Sequence, residues 1–319
     1  MTRVLVTGGA GFIGSNLTAA LLNQGHSVRV LDNFSSGRRE NLFFEKGYST
    51  LEVIEGDITE YQSCKSVMKT VEFVFHQAAL PSVPQSVEDP LTSNRVNVEG
   101  TLNVLLAARD AGVKRVVYAS SCAIYGDDPT LPKKEEMAPH PLSPYALQKY
   151  VGERYCLLFS SLYQVETVSL RYFNVFGPKQ DPNSFYAAAI PRFIDALLDG
   201  KSPVVFGDGE QSRDFVFIDD VVQANLLAMS AHHLNGDVVN VAHGRSLSIN
   251  ELLAILKDLL GSKILPDYEE PRTGDVRHSL GDIQRGKQLL NYVPRVEMRE
   301  GLAKTVAYFM TRRKEMLRR

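Results

Sequence analysis

The run V4-L-V-T-G-G-A-G-F-I-G14 constrains this 319-residue chain more than any other. It reads as an apolar strand, a glycine turn and the start of a helix, with Gly8, Gly11 and Gly14 spaced G-x-x-G-x-x-G. The first two glycines let backbone N–H groups approach a pyrophosphate at the helix N-terminus, and the third lets helix and strand pack closely. Alone, such a triplet is an ordinary tight turn. Between a strand and a helix at the head of the chain it implies a dinucleotide site.

The next segments fit the fold that such a turn opens. Arg3–Thr7, Ser27–Leu31, Leu51–Glu55, Phe73–Gln77, Arg115–Ser120 and Thr167–Arg171 read as strands. Helical patterns at Gly11–Gln24, Pro90–Ala111 and Ser143–Tyr163 lie between them. Strands apolar on both faces and separated by helices predict an α/β fold, a doubly wound parallel sheet of Rossmann type. An α/β barrel would lack the phosphate loop after its first strand.

After Arg171 the rhythm changes, which predicts a smaller α/β substrate-binding C-terminal domain. The nucleotide-binding domain is expected to span 1–171, with 214–242 returning to it, and the second domain 172–213 and 243–319. Here G177-P-K-Q-D-P-N183 is turn chemistry, and a helical run follows from Tyr186 to Leu198. Val204–Phe206, Asp214–Ile218 and Val238–Val241 read as strands, and Asp219 or Asp220 as the cap of a helix to about Ser230. Ser248 caps a helix that Gly261 stops, Pro266–Gly281 reads as a polar loop and Met298–Leu317 as a last helix.

Asp32 ends the second strand, 18 residues after Gly14. A carboxylate there accepts both ribose hydroxyls and repels a 2′-phosphate, which favours NAD over NADP. Arg38 and Arg39 are a counter-signal on the turn beyond. Asp57 is placed to accept from an adenine amino group or to serve as a turn residue, and A78-A-L80 is narrow enough for a cofactor to pass closely.

In Y145-A-L-Q-K149 two side chains stand four apart in a helical run, which stacks them on one face. A phenol of pKa about 10 is a poor base, and a nearby ammonium lowers that value. So tuned, Tyr145 can take a proton from an alcohol while a hydride leaves the same carbon, with Ser121 holding the hydroxyl. An amphipathic helix that happens to carry Tyr and Lys is the plainer alternative.

Composition excludes other classes. Apolar residues are 44%, charged residues 23% and the net charge −2, which gives no electrostatic reason to expect nucleic acid. The basic stretch Thr311–Arg319 reads as a solvated helix end. Cys64, Cys122 and Cys156 have no metal-ligand spacing, so no metal is expected, and they suit reduced thiols in the cytoplasm. No signal peptide pattern or membrane span of about 18 apolar residues is present.

The motifs T7-G-G-A-G-F-I-G14, H76-Q-A-A79, N97-V-E-G-T101, S120-S-C-A-I-Y-G126, Y145-A-L-Q-K149 and R171-Y-F-N-V-F-G177 together resemble the extended short-chain dehydrogenase/reductase family. The resemblance runs from residue 1 to about 285. Within it the chain looks like a UDP-hexose 4-epimerase, most similar to the branch acting on UDP-N-acetylglucosamine. Q180-D-P-N183, G207-D-G-E-Q-S-R-D214 and G274-D-V-R-H-S-L-G-D282 carry that narrower match.

The resemblance implies bound NAD, a UDP-sugar substrate and a homodimer formed through the helices around Pro90–Ala111 and Ser143–Tyr163. Tyr145 removes the C4 hydroxyl proton as hydride passes to nicotinamide, Lys149 lowers the Tyr pKa and bonds the nicotinamide ribose, and Ser121 is the catalytic Ser or Thr. The sugar then turns about its phosphate link, and the same hydride returns to its other face. Phe12, Ile13, Asn33, Ile58, Gln77, Ala78, Ala79, Asn97 and Tyr172 are implied to bind the cofactor, with Asn97 also where the family bends a helix beside the site. Asn174 and Arg213 match contacts to the diphosphate, Arg272 and Asp275 to the phosphate and uridine ribose, Phe206 to the uracil, and Ala188 to the substrate. Ser279 stands where epimerases restricted to plain hexoses carry Tyr, and it leaves space for an N-acetyl group. Pro81 departs from the Gly frequent in this branch.

Three alternatives differ in named residues. Dehydratases and decarboxylases of this fold place acids after the catalytic Ser or Thr, where this chain has Cys122 and Ala123. A UDP-glucuronate 4-epimerase differs only in the sugar pocket. A non-catalytic NAD-binding regulator usually loses the Tyr or Lys, and this chain keeps both.

Overall fold

The computed structural model describes residues 1–44, 46–181, 189–271 and 276–317. In chain order its first elements are β1 (Arg3–Thr7), α1 (Phe12–Asn23), β2 (Ser27–Asp32), β3 (Leu51–Glu55), α2 (Tyr61–Val67) and β4 (Phe73–His76). There follow α3 (Val83–Glu88), α4 (Pro90–Asn94), α5 (Thr101–Asp110), β5 (Arg115–Ser121), α6 (Pro144–Tyr163) and β6 (Glu166–Tyr172). Next come β7 (Asn174–Phe176), α7 (Ala189–Leu198), β8 (Val204–Phe206), β9 (Ser212–Phe217), α8 (Ile218–Ser230) and β10 (Asn235–Val241). The last are β11 (Ser246–Ser248), α9 (Ile249–Leu260), β12 (Asp267–Glu269), α10 (Gln284–Leu290) and α11 (Met298–Leu317).

Seven strands form one sheet in the order β10-β6-β5-β4-β1-β2-β3, every pair parallel. The order reverses between β1 and β4, and ligands of such sheets bind at the carboxyl ends of the strands beside that reversal. The interior strands β1, β4, β5 and β6 are buried along nearly their whole length, as sheets covered on both faces require. β3 at the edge carries Glu52 and exposed Val53, and a charged edge discourages further pairing. Smaller sheets, β11-β9-β7 and β12-β8, stand beside the large one.

Four local expectations need correction. The run 90–111 is not one helix: a π turn at Arg95–Gly100 separates α4 from α5, where the Asn97 side chain is clasped by the Leu80 backbone. Neither Asp219 nor Asp220 caps α8. Phe217 occupies the cap because β9 runs straight into the helix, and both aspartates lie in the first turn, facing the positive end of its dipole. Asp220 is buried there and accepts the Arg295 and Val296 N–H groups at 2.8 and 3.2 Å. The strand expected at Asp214–Ile218 is β9, and it joins the small sheet, whereas β10 joins the large one. Pro266–Gly281 is not all loop, since β12 pairs in parallel with β8; its residues are all exposed and carry no alternation that sequence could reveal.

Other signals act as their chemistry requires. Ser248 and Glu251 form a reciprocal capping box on α9, and Gly261 closes that helix at φ 63°. Among the described residues no helix is long and apolar enough to cross a membrane.

Candidate active site

A cleft of about 1070 Å³ runs along the carboxyl ends of the large sheet and continues between β7, α7, β8 and β9. At one end lies the β1–α1 turn. Gly8 has φ +67°, and a Cβ there would stand 2.6 Å from the Ala78 nitrogen; a Cβ on Gly14 would stand 2.1 Å from the Gly8 oxygen. Gly11 caps α1 without a side-chain hydrogen bond, and no acidic residue lies in the helix's first turn. Its free N–H groups and dipole therefore remain available to an anion in the cleft, which Phe12 and Ile13 line. These residues fit the pyrophosphate of a dinucleotide.

Asp32 is almost fully buried at the end of β2. Its Oδ2 accepts the Ala10 N–H and its Oδ1 the Phe34 N–H, each at 2.8 Å. One lone pair on each oxygen remains for ribose hydroxyls. Asp57 accepts from Asn33 Nδ2 and the Thr59 N–H, both at 2.8 Å. Burial pushes its carboxyl up, but the Thr59 and Asn33 hydrogen bonds outweigh that and hold it below the usual range. Asn33, Ile58, Gln77, Ala78, Ala79 and Tyr172 also line the cleft. Gln77 Nε2 donates to Tyr172 Oη at 3.0 Å and to Asn225 Oδ1 at 3.1 Å, fixing its amide in place.

Asn97 does not line the cleft. It is buried behind Leu80, whose N–H donates to its Oδ1 at 2.8 Å, while its Nδ2 donates to the Leu80 carbonyl and to Gln148 Oε1. It fixes the Leu80–Pro81 backbone, which is the cleft wall.

Ser121 ends β5, and Tyr145 and Lys149 project from α6; all three face the cleft. Ser143 caps α6 through the Ala146 N–H, with Pro144 pre-set for the first helical position. The Tyr145 N–H donates to Ser86 Oγ at 3.1 Å, which ties the start of α6 to α3. Lys149 Nζ donates to the Ala119 carbonyl at 2.7 Å and lies 6.0 Å from the Tyr145 ring centroid.

The expected lowering of the phenol is not met. Burial pushes Tyr145 up to about 12, only partly offset by its hydrogen bond with Ser121. Burial likewise brings Lys149 down to about 8. The spacing put the two on one face, but desolvation by burial is the largest effect on each and disfavours both charged forms.

On the opposite bank, Asn174, Phe206 and Arg213 line the cleft. Asn174 Nδ2 donates to the Asp214 carbonyl at 3.0 Å and Arg213 Nη1 to the Ser212 carbonyl at 2.9 Å. The Arg192 guanidinium lies 5.6 Å over the Phe206 ring. Ser279 is half-buried and does not line the cleft; its N–H donates to the Ser212 carbonyl at 3.0 Å, next to Arg213. Ala188, Arg272 and Asp275 lie outside the described residues.

The model of the NAD dependent epimerase/dehydratase family matches residues 4–242. The chain belongs to that family. NAD is its cofactor, and the likeness to extended short-chain dehydrogenase/reductases is borne out. The UDP-glucose 4-epimerase of Mycolicibacterium smegmatis is 41% identical over 309 residues, 96% of this chain and 98% of that one. The UDP-N-acetylglucosamine 4-epimerase of Methanobrevibacter ruminantium M1, solved with UDP-N-acetylmuramic acid, superposes with TM-score 0.94 at 42% identity, covering 98% of this chain and 99% of the other. The UDP-glucuronic acid 4-epimerase of Bacillus cereus, solved with UDP-glucuronic acid and NAD, gives TM-score 0.91 at 30% identity, with coverage of 97% and 99%.

Sequence reasoning missed the polar layer that supports this epimerase-family site. Beneath Ser121, Ser120 Oγ donates to Glu153 Oε1 at 2.6 Å, and Arg171 holds the same carboxylate with two hydrogen bonds of 2.8 Å. Both side chains of that pair are under 5% exposed, and the guanidinium also lies 4.7 Å over Tyr125. Glu153 falls four residues after Lys149, so the α6 periodicity held a signal for its inward position. Nothing in the sequence linked it to Arg171.

Proposed function

We propose that the UDP-sugar 4-epimerase activity of this chain is directed at UDP-N-acetylglucosamine and UDP-N-acetylgalactosamine, with UDP-glucose and UDP-galactose as further substrates. The observation that carries this reading is the likeness to the Methanobrevibacter UDP-N-acetylglucosamine 4-epimerase. By resemblance Ser279, whose N–H donates to the Ser212 carbonyl next to Arg213, stands where epimerases restricted to plain hexoses carry Tyr.

The chemistry follows from the site. NAD, when bound, would supply the acceptor for the hydride leaving C4 of the sugar. Tyr145 exchanges a proton with the C4 oxygen, Ser121 holds that oxygen against the phenol, and Lys149 is fixed at the Ala119 carbonyl beneath them. The Asn174 amide and the Arg213 guanidinium suit the diphosphate oxygens, and Phe206 offers the uracil an apolar face. By resemblance, Arg272 and Asp275 hold the phosphate and uridine ribose, and Ala188 adds a substrate contact. An anchored diphosphate leaves the sugar free to turn about its phosphate link, so the cofactor is retained through the cycle.

UDP-glucuronate is the second reading, favoured by the likeness to the Bacillus cereus enzyme. Incubating the purified protein with each UDP-sugar and no added nicotinamide separates the two. Turnover of the acetylated sugar supports the first reading, and turnover of UDP-glucuronate alone overturns it.

A homodimer is part of the proposal. Val87, Leu91, Leu147, Leu158 and Leu162 on α3, α4 and α6 are 45–83% exposed, and an apolar face of this extent suits a second copy. Sedimentation should give a dimer, and Leu91→Asp with Leu162→Asp a monomer. A monomeric parent protein overturns it.

A further inference from the structure

Two arginines follow Asp32 on the loop leaving β2, and each is held by an acid. Arg39 pairs with Glu55, and its guanidinium stacks 3.8 Å over the Phe34 ring. Arg38 reaches across the cleft instead: its Nη2 meets Asp181 Oδ2 at 2.6 Å, from a segment 143 residues later.

The root of Arg38 is close to Asp32. Its N–H donates to the Ala10 carbonyl at 3.0 Å, and the Ala10 N–H donates in turn to Asp32 Oδ2 at 2.8 Å. Gly37 lies nearer still, since a Cβ there would stand 2.9 Å from Asp32 Oδ1. A guanidinium rooted at this point is within reach of any substituent on an adenosine ribose that Asp32 holds. A phosphate on that ribose is the group a guanidinium fork binds best.

The segment carrying Asp181 is anchored without Arg38. Lys179 Nζ donates to the Asn41 carbonyl at 2.8 Å and lies 5.1 Å over the Phe44 ring. Asn16 Nδ2 donates to the Pro178 carbonyl at 3.2 Å. Asp181 therefore stands ready to receive Arg38.

We propose that Asp181 is a specificity-determining residue for the cofactor: by holding Arg38 across the cleft, it withholds from the adenosine ribose a cation that would welcome a 2′-phosphate. It acts through Arg38 and adds to the preference for NAD set by Asp32. The inference rests on NAD as the cofactor and not on which sugar is turned over. With the two side chains 36% and 33% exposed, the ion pair contributes little to stability, so its removal should leave the fold intact.

The test reads the nucleotide that the protein takes from a common cellular pool. Purified protein is denatured, and the released NADP and NAD are quantified for the parent, Asp181→Asn, Asp181→Glu and the double variant Asp181→Asn/Arg38→Ala. The NADP:NAD ratio should rise roughly fivefold in Asp181→Asn, the scale of one modest ion pair redirected to a phosphate. It should stay at the parent value in Asp181→Glu and return to it in the double variant. An unchanged ratio in Asp181→Asn overturns the proposal, as does a rise that persists without Arg38, which would mark Asp181 as a merely structural residue.

Discussion

The Lys149 ammonium sits 6.0 Å from the Tyr145 ring while donating to the Ala119 carbonyl at 2.7 Å. The lysine is thus anchored to the end of β5, and its link to the phenol is through space. The ordinary reading of a Tyr-x-x-x-Lys pair makes the ammonium sufficient to lower the phenol. Burial of both groups prevails instead, pushing the phenol up to about 12 and the ammonium down to about 8.

From that relationship, Tyr145→Phe should lower kcat by at least about 10²-fold, the usual scale for loss of a general acid–base group. UDP-sugar affinity, measured by calorimetry, should change little, because the proposed diphosphate contacts, Asn174 and Arg213, lie on the opposite bank. Near-parent turnover would remove Tyr145 from the mechanism.

Ser279→Tyr should abolish turnover of UDP-N-acetylglucosamine and spare UDP-galactose, since a filled space excludes strongly while an empty one excludes nothing. The ratio of kcat/KM on the two substrates is the measurement. Equal loss on both would point to misfolding, and undiminished acetylated turnover would remove Ser279 as a gate.

Glu153→Gln should destabilise the protein by about 3–5 kcal/mol, because it leaves the buried Arg171 guanidinium without its counter-charge. Replacing both partners by apolar residues, as in Glu153→Leu/Arg171→Met, should cost less than the single change. Denaturant unfolding of the three proteins checks the order.

Asp214 gives a pH dependence of defined sign. Fully buried, it accepts N–H groups from His243, Gly244 and Gly281 at 2.8, 3.0 and 3.1 Å. Burial pushes its carboxyl up to about 7, against the pull of those hydrogen bonds. A folded-state value above the unfolded one means that its contribution is full below about pH 4 and is lost as the pH rises through 7. The stability advantage of the parent over Asp214→Asn should therefore shrink between pH 4 and 7. An advantage that grows over this interval would refute the assignment.

The sheet and the cofactor end of the cleft were legible in the sequence because their causes are local. A strand apolar on both faces, a glycine turn that admits no Cβ and a helix start without a cap are all properties of neighbouring residues, and so is the Tyr–Lys spacing on α6. Ser121, Asp32, Asn174 and Arg213 could likewise be named from their motifs, and the fold gathers them along one cleft. Tertiary structure alone decided what depends on residues distant in the chain. It made Asn97 a clamp on Leu80, placed β9 in the small sheet, joined Glu153 to Arg171 and brought Asp181 to Arg38. It also reversed the expected tuning of Tyr145, since a pKa is set by the dielectric and the partners around a group. Those depend on burial by the whole fold, and no spacing along the chain encodes them.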